Sequence, residues 1–435
     1  MRRLLNVFGD VREGETGTTV LLLANIFIVM VGNYVCKTVR EPLILAGGGA
    51  ELKSYAAAGQ AVALMAFVPA YSWIASRVTR IKLLTGVTLF FLLNVELFWL
   101  AGRAGLPYLG IAFFVWVGVF NNAVVAQFWS YGNDLFDRLK GERLFPVIAL
   151  GAALGSPVGA WFAKELFERG VRPFTVLQGA AVCLVVSMLL YWSVELLGQR
   201  RKEAPPQRLE GRGGFALILN SPYLGMICLL FLMLNLVNTT GEYILSKAVT
   251  GHAASLVAAL PAAEQDAAKD SIIGAYYGNY FFWVNILVIV LQAFVASRLV
   301  KMFGMAGALS ALPCVALGAY GVLATGVSLA VTRIAKTAEN ATDYSIMNVA
   351  RQMLWLPTTR DEKYKAKQAA DTFVVRAGDV MAAGLVWVGT TVLGIGPREF
   401  AFANVVLACV WLALSYLLLR EYRRRATDVA EAPAA

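Results

Sequence analysis

Three long apolar stretches of the sequence contain charged and amide side chains at helical spacing. In the first stretch, Lys37 and Arg40 fall with Asn33 on one helical face, because successive helical residues are about 100° apart. Two cations on one face are suited to hold a phosphate or a carboxylate through charge-assisted hydrogen bonds. The alternative is that they lie near the outer interface and extend to it, or pair with Glu41 and the span at 221–246. Pro42 follows at once, and we expect it to break the helix there.

The second stretch covers approximately 221–246 and carries a polar stripe. The members of the stripe are Asn235, Asn238, Thr239, Glu242 and Ser246. Such a face lines a substrate path or forms hydrogen bonds to neighbouring helices. Because Glu242 is ionisable, we favour the path, in which Asn238 and Glu242 orient the cargo or couple an ion.

The third stretch covers approximately 327–350 and carries charges of both signs on one helical face. They are Arg333, Lys336, Glu339 and Asp343, with Asn340 among them. Two cations and two anions cancel, so one interpretation is an internal salt-bridge ladder without a substrate role. The other is that this face lines a central cavity, since intramembrane charges commonly mark substrate pathways.

The composition shows which class of protein contains these stretches. Of the 435 residues, 58% are hydrophobic and 15% are charged, and the mean hydropathy is +0.64. Soluble domains are about 45–50% apolar and about 25% charged, so the composition excludes an ordinary cytosolic enzyme, a disordered protein and a nucleic-acid-binding module. The apolar residues form blocks of about 20, the length of helix that crosses a bilayer. We therefore predict an all-α polytopic membrane protein with 12 transmembrane helices. Their approximate bounds are 18–45, 55–75, 83–101, 107–131, 144–167, 173–196, 221–246, 272–296, 305–325, 327–350, 370–394 and 400–419.

The positions of the basic residues predict the orientation. With both termini inside, the inside segments carry 25 of the 38 lysines and arginines, and the outside loops carry 6, among them Lys53 and Arg398. Cytoplasmic loops of membrane proteins are enriched in Lys and Arg, so both termini are predicted to be cytoplasmic, and the membrane to be the bacterial inner membrane. The bias also accounts for the net charge of +10 without a nucleic-acid partner.

A central segment that is basic and rich in Pro and Gly predicts a linker between two halves. Both halves carry an Ala-Ser-Arg motif after their second span, at 75–77 and 296–298. Two parallel six-helix repeats resemble the plan of the major facilitator transporters. The predicted divisions are an N-terminal half at 1–196, a cytoplasmic linker at 197–220, a C-terminal half at 221–425 and a disordered tail at 426–435.

Little in the sequence points to catalysis. The five cysteines all lie in apolar blocks without a Cys-x-x-Cys pair, and His252 is the single histidine. Buried hydrophobic roles fit these cysteines better than disulfides or metal ligation. We therefore predict that the protein is not an enzyme, with no catalytic residue, no cofactor and no resident metal.

Two glycine patterns predict local structure, one a turn and the other a helix-packing face. Glycines 47–49 are not followed by the Gly-Lys-Ser/Thr of a phosphate-binding loop, so we interpret them as an outside turn. Gly151, Gly155 and Gly159 recur every four residues, the spacing of a close helix-packing face.

Motifs in both halves point to one family. Residues 128–133 read FWSYGN, and 143–146 read RLFP just ahead of the glycine face. Residues 351–357 read RQMLWLP, and 363–371 carry three alternate lysines followed by Asp371. These motifs and their order resemble those of the ATP/ADP translocases, the nucleotide transporters of plastids and intracellular bacteria.

The resemblance implies a transporter in which Lys37, Arg40, Asn133 and Lys367 occupy motif positions. The sequence also departs from the family pattern. The arginine and lysine of the family's first span are exchanged here, as Lys37 and Arg40.

Two glutamates of the nucleotide carriers are replaced in this sequence. They correspond to Asn238 and to the neighbourhood of Gly118, and Glu242 lies one turn from Asn238. Losing two anions makes a substrate path more positive. The resemblance therefore predicts that strict ATP/ADP exchange is absent or poor and that a smaller or differently charged anion competes better.

Together these observations predict a secondary transporter of an anionic small molecule, with nucleotides as the first candidates. The alternative is a non-transporting membrane sensor or scaffold that retains the transporter fold. The candidate substrate-binding residues are Lys37, Arg40, Asn133, Asn238, Glu242, Arg333, Lys336, Asp343 and Lys367.

Overall fold

The computed structural model describes residues 11–75, 77–136, 138–197, 214–359 and 362–431, and these contain helices and no strand. The helices in chain order are α1 (Thr16–Ala75), α2 (Arg80–Arg103), α3 (Leu109–Leu135), α4 (Arg138–Glu168), α5 (Pro173–Val176), α6 (Gln178–Leu196), α7 (Gly214–Leu219), α8 (Pro222–Val257), α9 (Ala262–Val290), α10 (Ser297–Leu323), α11 (Leu329–Thr342), α12 (Asn348–Met353), α13 (Lys367–Ala369), α14 (Val375–Trp387) and α15 (Pro397–Glu431). Five π-helical segments lie at Leu291–Ala296, Asp343–Met347, Glu362–Ala366, Ala370–Val374 and Val388–Val392. The predicted all-α class is confirmed.

Within the described residues, nine helical stretches are long and apolar enough to cross a membrane. Two of them, Thr16–Tyr71 and Ala262–Leu323, have 56 and 62 residues, enough for two crossings each at about 20 residues per crossing. Each contains one glycine with non-helical angles, Gly49 or Gly304. The charged helix α11 is not among the nine. The arrangement is consistent with the predicted twelve spans.

Helix α2 shows why these helices belong in lipid. Its exposed side chains include Phe90, Leu93, Leu97 and Leu100, which recur every three or four residues along one face. Exposing such a stripe to water would be unfavourable, at about 25 cal/mol per Å² of apolar surface. A hydrocarbon environment removes that cost.

The first interhelical turn differs from the prediction. Helix α1 continues through Pro42, where we expected a break, and through most of the glycine run at 47–49. The change of direction is confined to Gly49, whose φ is 71° and ψ is −172°. Glycine tolerates this positive φ, and neighbouring groups in a membrane bundle satisfy the backbone that a proline frees. The predicted break at Pro42 is therefore wrong.

The chain forms two compact units that are each assembled from separate segments. Unit 1 comprises Met1–Gly48, Ala66–Pro206 and Ala253–Asn285, and unit 2 comprises Gly49–Met65, Gln207–His252 and Ile286–Ala435. The predicted linker falls mainly on residues 198–213, which lie outside the described residues. Helix α15 extends to Glu431, past the start of the predicted tail at 426, and 432–435 also lie outside the described residues.

In unit 1, α4 packs closely on α1 through the predicted glycine face. A Cβ added at Gly151, Gly155 or Gly159 would lie 2.3–2.4 Å from a backbone carbonyl oxygen of α1. Those oxygens belong to residues four apart, Leu23, Phe27 and Val31. Only glycine permits backbones to approach this closely, so the predicted packing face is confirmed.

In unit 2, α10 packs against α15 and α11. The core contains aromatic residues from several helices, including Tyr223 and Phe231 of α8, Tyr320 of α10 and Trp411 of α15. This core positions the polar faces of α8 and α11 described below.

Candidate functional site

A buried ion pair of two residues from α11 lies within unit 2. Lys336 Nζ lies 2.8 Å from a carboxylate oxygen of Glu339 one turn along α11. The Tyr320 hydroxyl, from α10, lies 2.8 Å from each Glu339 carboxylate oxygen. Lys336 is 0% exposed and Glu339 is 3% exposed. A buried charge is tolerated only when it is paired and hydrogen-bonded, and these contacts meet that requirement.

Helix α8 presents two further polar groups to the same lysine. Lys336 Nζ donates to Asn238 Oδ1 at 3.3 Å and lies 4.0 Å from Glu242 Oε1. Asn340 Nδ2 donates to Glu242 Oε1 at 2.9 Å. Asn238 and Glu242 are four residues apart and therefore share one helical face. The predicted stripes of α8 and α11 thus meet each other.

A second lysine reaches Glu242 from the part of α1 that follows Gly49. Lys53 Nζ lies 3.6 Å from Glu242 Oε2 and donates to Ser246 Oγ at 3.0 Å. Lys53 is helical and 8% exposed, so its predicted place in a loop is wrong. The change of direction at Gly49 takes a single residue, so the residues after it are helical again. Lys53 therefore lies on a helix, and this segment belongs to unit 2.

We call Lys53, Glu242, Lys336 and Glu339 the charge chain. Its members alternate in sign, with successive separations of 3.6, 4.0 and 2.8 Å. Two cations and two anions leave the charge chain neutral, which lowers the cost of holding charges in a low-dielectric interior.

Gly241 permits the close approach of these groups. A Cβ at this position would lie 1.9 Å from the Tyr320 hydroxyl and 2.7 Å from Lys336 Nζ. Any larger residue at 241 would displace the tyrosine or the lysine. Sequence pattern alone could not predict this requirement, because Tyr320 lies in another helix.

Two further predicted residues of α11 and its continuation flank the charge chain. Arg333 is half-buried one turn before Lys336, and Asp343 is buried at the start of the π-helical segment after α11. The predicted face of this stretch therefore carries its charges along a continuous, largely buried strip.

Lys37 and Arg40 belong to unit 1, where aromatic rings and a carboxylate surround them. Lys37 Nζ lies 4.6 Å from the ring centroid of Phe281. The Arg40 guanidinium pairs with Glu41 and lies 4.6 Å from the Phe114 ring centroid. Pairing with Glu41 was part of the structural alternative to anion binding, and the structure shows it for Arg40. Cation–π contacts keep both cations within the protein.

The last two candidates lie near helix ends. Asn133 is exposed in the last turn of α3, in unit 1. Lys367 begins α13 in unit 2 and donates to Gln352 Oε1 at 2.6 Å. Arg351 and Asp371, which belong to the same motifs, form an ion pair at 3.8 Å. The two motifs of the C-terminal region therefore contact each other.

Within the described residues, no group of three or more His, Cys, Asp or Glu side chains is arranged to hold a metal ion.

Comparison with known proteins identifies relatives among carriers. No family model matches the chain. It is 20% identical over 362 residues to "ADP,ATP carrier protein 1" of Chlamydia trachomatis, a match that covers 71% of this chain and 65% of the carrier. The corresponding proteins of Chlamydia muridarum and Chlamydia pneumoniae are also 20% identical. The chain is thus weakly but consistently homologous to these carriers, and the match spans about two thirds of their length.

Solved structures show the same fold. A bacterial homologue of the iron transporter ferroportin aligns with a TM-score of 0.65 and 14% identity, covering 92% of this chain and 98% of that chain. The nucleoside transporter NupG aligns with a TM-score of 0.62 and 9% identity, covering 92% and 98%. The fold is therefore of the major facilitator type, and the chain is similar in sequence to carriers of ADP and ATP.

Proposed function

We propose that this protein is a secondary transporter of an anionic metabolite and that nucleotides are the first candidates for its cargo. The homology to ADP,ATP carriers and the transporter fold support the general class. The observation that carries the anionic cargo is the charge chain, in which two buried lysines, Lys53 and Lys336, share the single carboxylate of Glu242.

The lysines are suited to bind an anion. Both are largely inaccessible to water in the present arrangement, and a charge-assisted hydrogen bond contributes about 1.5–3 kcal/mol. Phosphate and carboxylate groups are the ligands that such donors bind best. Asn238 accepts a hydrogen bond from Lys336, and Asn340 donates one to Glu242, so both add neutral polar groups that can orient the cargo.

Purified protein in liposomes tests this proposal. Labelled ATP, ADP, AMP, pyrophosphate and phosphate are offered outside, with the unlabelled compound inside. We expect saturable uptake of at least one anion. Lys53→Gln should raise KM about 10- to 150-fold, the equivalent of one lost charge-assisted hydrogen bond. Lys247→Gln is the matched control, because this neighbouring lysine is half-exposed and pairs with Glu51 instead.

The outcome also separates transport from the sensor or scaffold alternative. Uptake no faster than in protein-free vesicles for every anion would contradict a transporter of these compounds. Equal KM values for Lys53→Gln and Lys247→Gln would show that an anion binds elsewhere.

Lys37 and Arg40 form a second proposed contact for the cargo. Lys37→Ala or Arg40→Ala should weaken binding by about 1.5–3 kcal/mol while folded protein is retained. Transport at the wild-type KM in both variants would show that their cation–π and ion-pair contacts are purely structural.

We also propose that the protein lies in the bacterial cytoplasmic membrane with both termini and the linker inside, which the distribution of Lys and Arg supports. A single cysteine at Gln207, in a background with the native cysteines replaced, is expected to react with an impermeant maleimide only after permeabilisation. Labelling in intact cells would contradict this orientation.

A further inference from the structure

The charge chain holds its two carboxylates unequally. Glu339 is held at 2.8 Å by Lys336 and by the Tyr320 hydroxyl, and its side chain is 4% exposed. Glu242 lies farther from its lysines, at 3.6 Å from Lys53 and 4.0 Å from Lys336, and its side chain is 24% exposed. Glu242 is therefore the carboxylate that can leave the charge chain at lower cost.

The groups around Glu242 would form an anion site if its carboxylate moved away. Two ammonium groups, of Lys53 and Lys336, lie 3.6 and 4.0 Å from the carboxylate. Asn340 Nδ2 donates to it at 2.9 Å, and Ser246 Oγ lies 3.0 Å from Lys53 Nζ. A phosphate or carboxylate group of a substrate accepts hydrogen bonds from the same set of donors.

We propose that Glu242 is an internal counter-ion that an anionic substrate displaces from Lys53 and Lys336, and that its return lets the empty protein change conformation. The inference rests on the proposed function and adds the mode of transport. Because Glu242 takes the place of the substrate anion, the protein carries out net transport as well as exchange.

Charge balance is the physical basis of this inference. With Glu242 in place, the charge chain contains two cations and two anions, whereas without it one positive charge is left uncompensated. A charge near the bilayer centre costs about 2.5–3.5 kcal/mol on insertion scales. An empty protein that lacks this carboxylate would therefore change conformation slowly, and rapid cycling would require a bound anion on both sides.

The experiment compares two fluxes in the same proteoliposomes. Exchange is measured with vesicles preloaded with the unlabelled anion, and net uptake with vesicles that contain none, in the presence of potassium and valinomycin to dissipate the membrane potential. The probes are labelled ATP and labelled pyrophosphate. We expect wild-type protein to show both fluxes. Glu242→Gln should lower the ratio of net uptake to exchange by at least about tenfold, whatever its absolute exchange rate, corresponding to one uncompensated charge.

Two further variants make the comparison specific. Glu242→Asp keeps the negative charge, so its ratio of net uptake to exchange should be higher than that of Glu242→Gln. Glu51→Gln is the control, since Glu51 pairs with the half-exposed Lys247 and lies outside the charge chain; its ratio should equal that of wild type.

The outcomes separate this inference from the proposed function. Wild-type protein that exchanges an anion but shows no net uptake would overturn the inference alone, even if Glu242→Gln failed to fold. An unchanged ratio in Glu242→Gln, or an equal drop in Glu51→Gln, would also overturn it. No flux of either probe in wild-type vesicles, together with no uptake of ADP, AMP or phosphate, would overturn both.

Discussion

Removing Lys336 should destabilise the protein far more than removing Lys336 and Glu339 together. In Lys336→Met the charge chain keeps two carboxylates and one lysine, so Glu339 is left buried without its cation. Breaking one partner of a buried ion pair costs about 3–5 kcal/mol. In the double variant Lys336→Met/Glu339→Gln, the charge chain keeps one cation, Lys53, and one anion, Glu242. These two groups still form a pair at 3.6 Å.

The expected changes in the free energy of unfolding follow from these contacts. Glu339→Gln alone should cost about 1.5–3 kcal/mol, because the amide keeps a bond to the Tyr320 hydroxyl but loses a charge-assisted bond to Lys336. If the effects were independent, the double variant would cost the sum of both. We expect it instead to be more stable than Lys336→Met by about 2 kcal/mol. This difference corresponds to a coupling of about 3.5–5 kcal/mol, larger than is usual for contacting residues, because the second substitution removes the uncompensated buried charge.

The assay is unfolding of the purified protein in mixed micelles, monitored by intrinsic fluorescence as the fraction of SDS is raised. Lys247→Met and Glu51→Gln provide a control cycle at a more exposed pair, where coupling should not exceed about 1 kcal/mol. A double variant that is less stable than Lys336→Met would show that charge balance does not stabilise the charge chain beyond its individual contacts.

Three further predictions concern other sites. Gly155→Ala should cost about 1–3 kcal/mol of unfolding free energy because its Cβ would lie 2.4 Å from a backbone oxygen; Gly86→Ala, where nothing lies within 4 Å, should cost nothing in the same unfolding assay. The hydrogen bond from Arg143 holds the pKa of Glu15 below its ordinary value, so the pair stabilises the fold at neutral pH and this contribution is lost as pH falls through the lowered pKa. The stability difference between wild type and Glu15→Gln should therefore shrink below about pH 4, and a pH-independent difference would contradict it. Asn238→Glu should shift selectivity among labelled anions toward ATP and ADP; an unchanged selectivity would contradict the assignment of this position.

Helical periodicity was sufficient to predict which faces of α8 and α11 are polar. Asn238, Glu242, Lys336 and Glu339 were all identified from spacing alone, because a charge in an apolar stretch needs a polar partner. The glycine face of α4 was predictable for a similar reason, since its period of four specifies one side of a helix.

The partners across helices were not predictable in the same way. Lys53 was predicted to lie in a loop, because three consecutive glycines are typical of a turn of several residues. In the structure only one of them, Gly49, departs from helical angles. Tyr320 carries no charge and no periodic signal, and only the tertiary packing of α10 brings its hydroxyl to Glu339. Pro42 was expected to end a helix, but in a packed bundle neighbouring groups compensate for the lost hydrogen bond.

Calorimetric titration of the purified protein with ATP and with pyrophosphate tests most directly whether the charge chain binds an anion. Wild-type protein should bind at least one of them. Lys53→Gln should weaken that binding about 10- to 150-fold, and the control Lys247→Gln should leave it unchanged. Equal affinity in wild type and Lys53→Gln would show that the charge chain does not bind the anion.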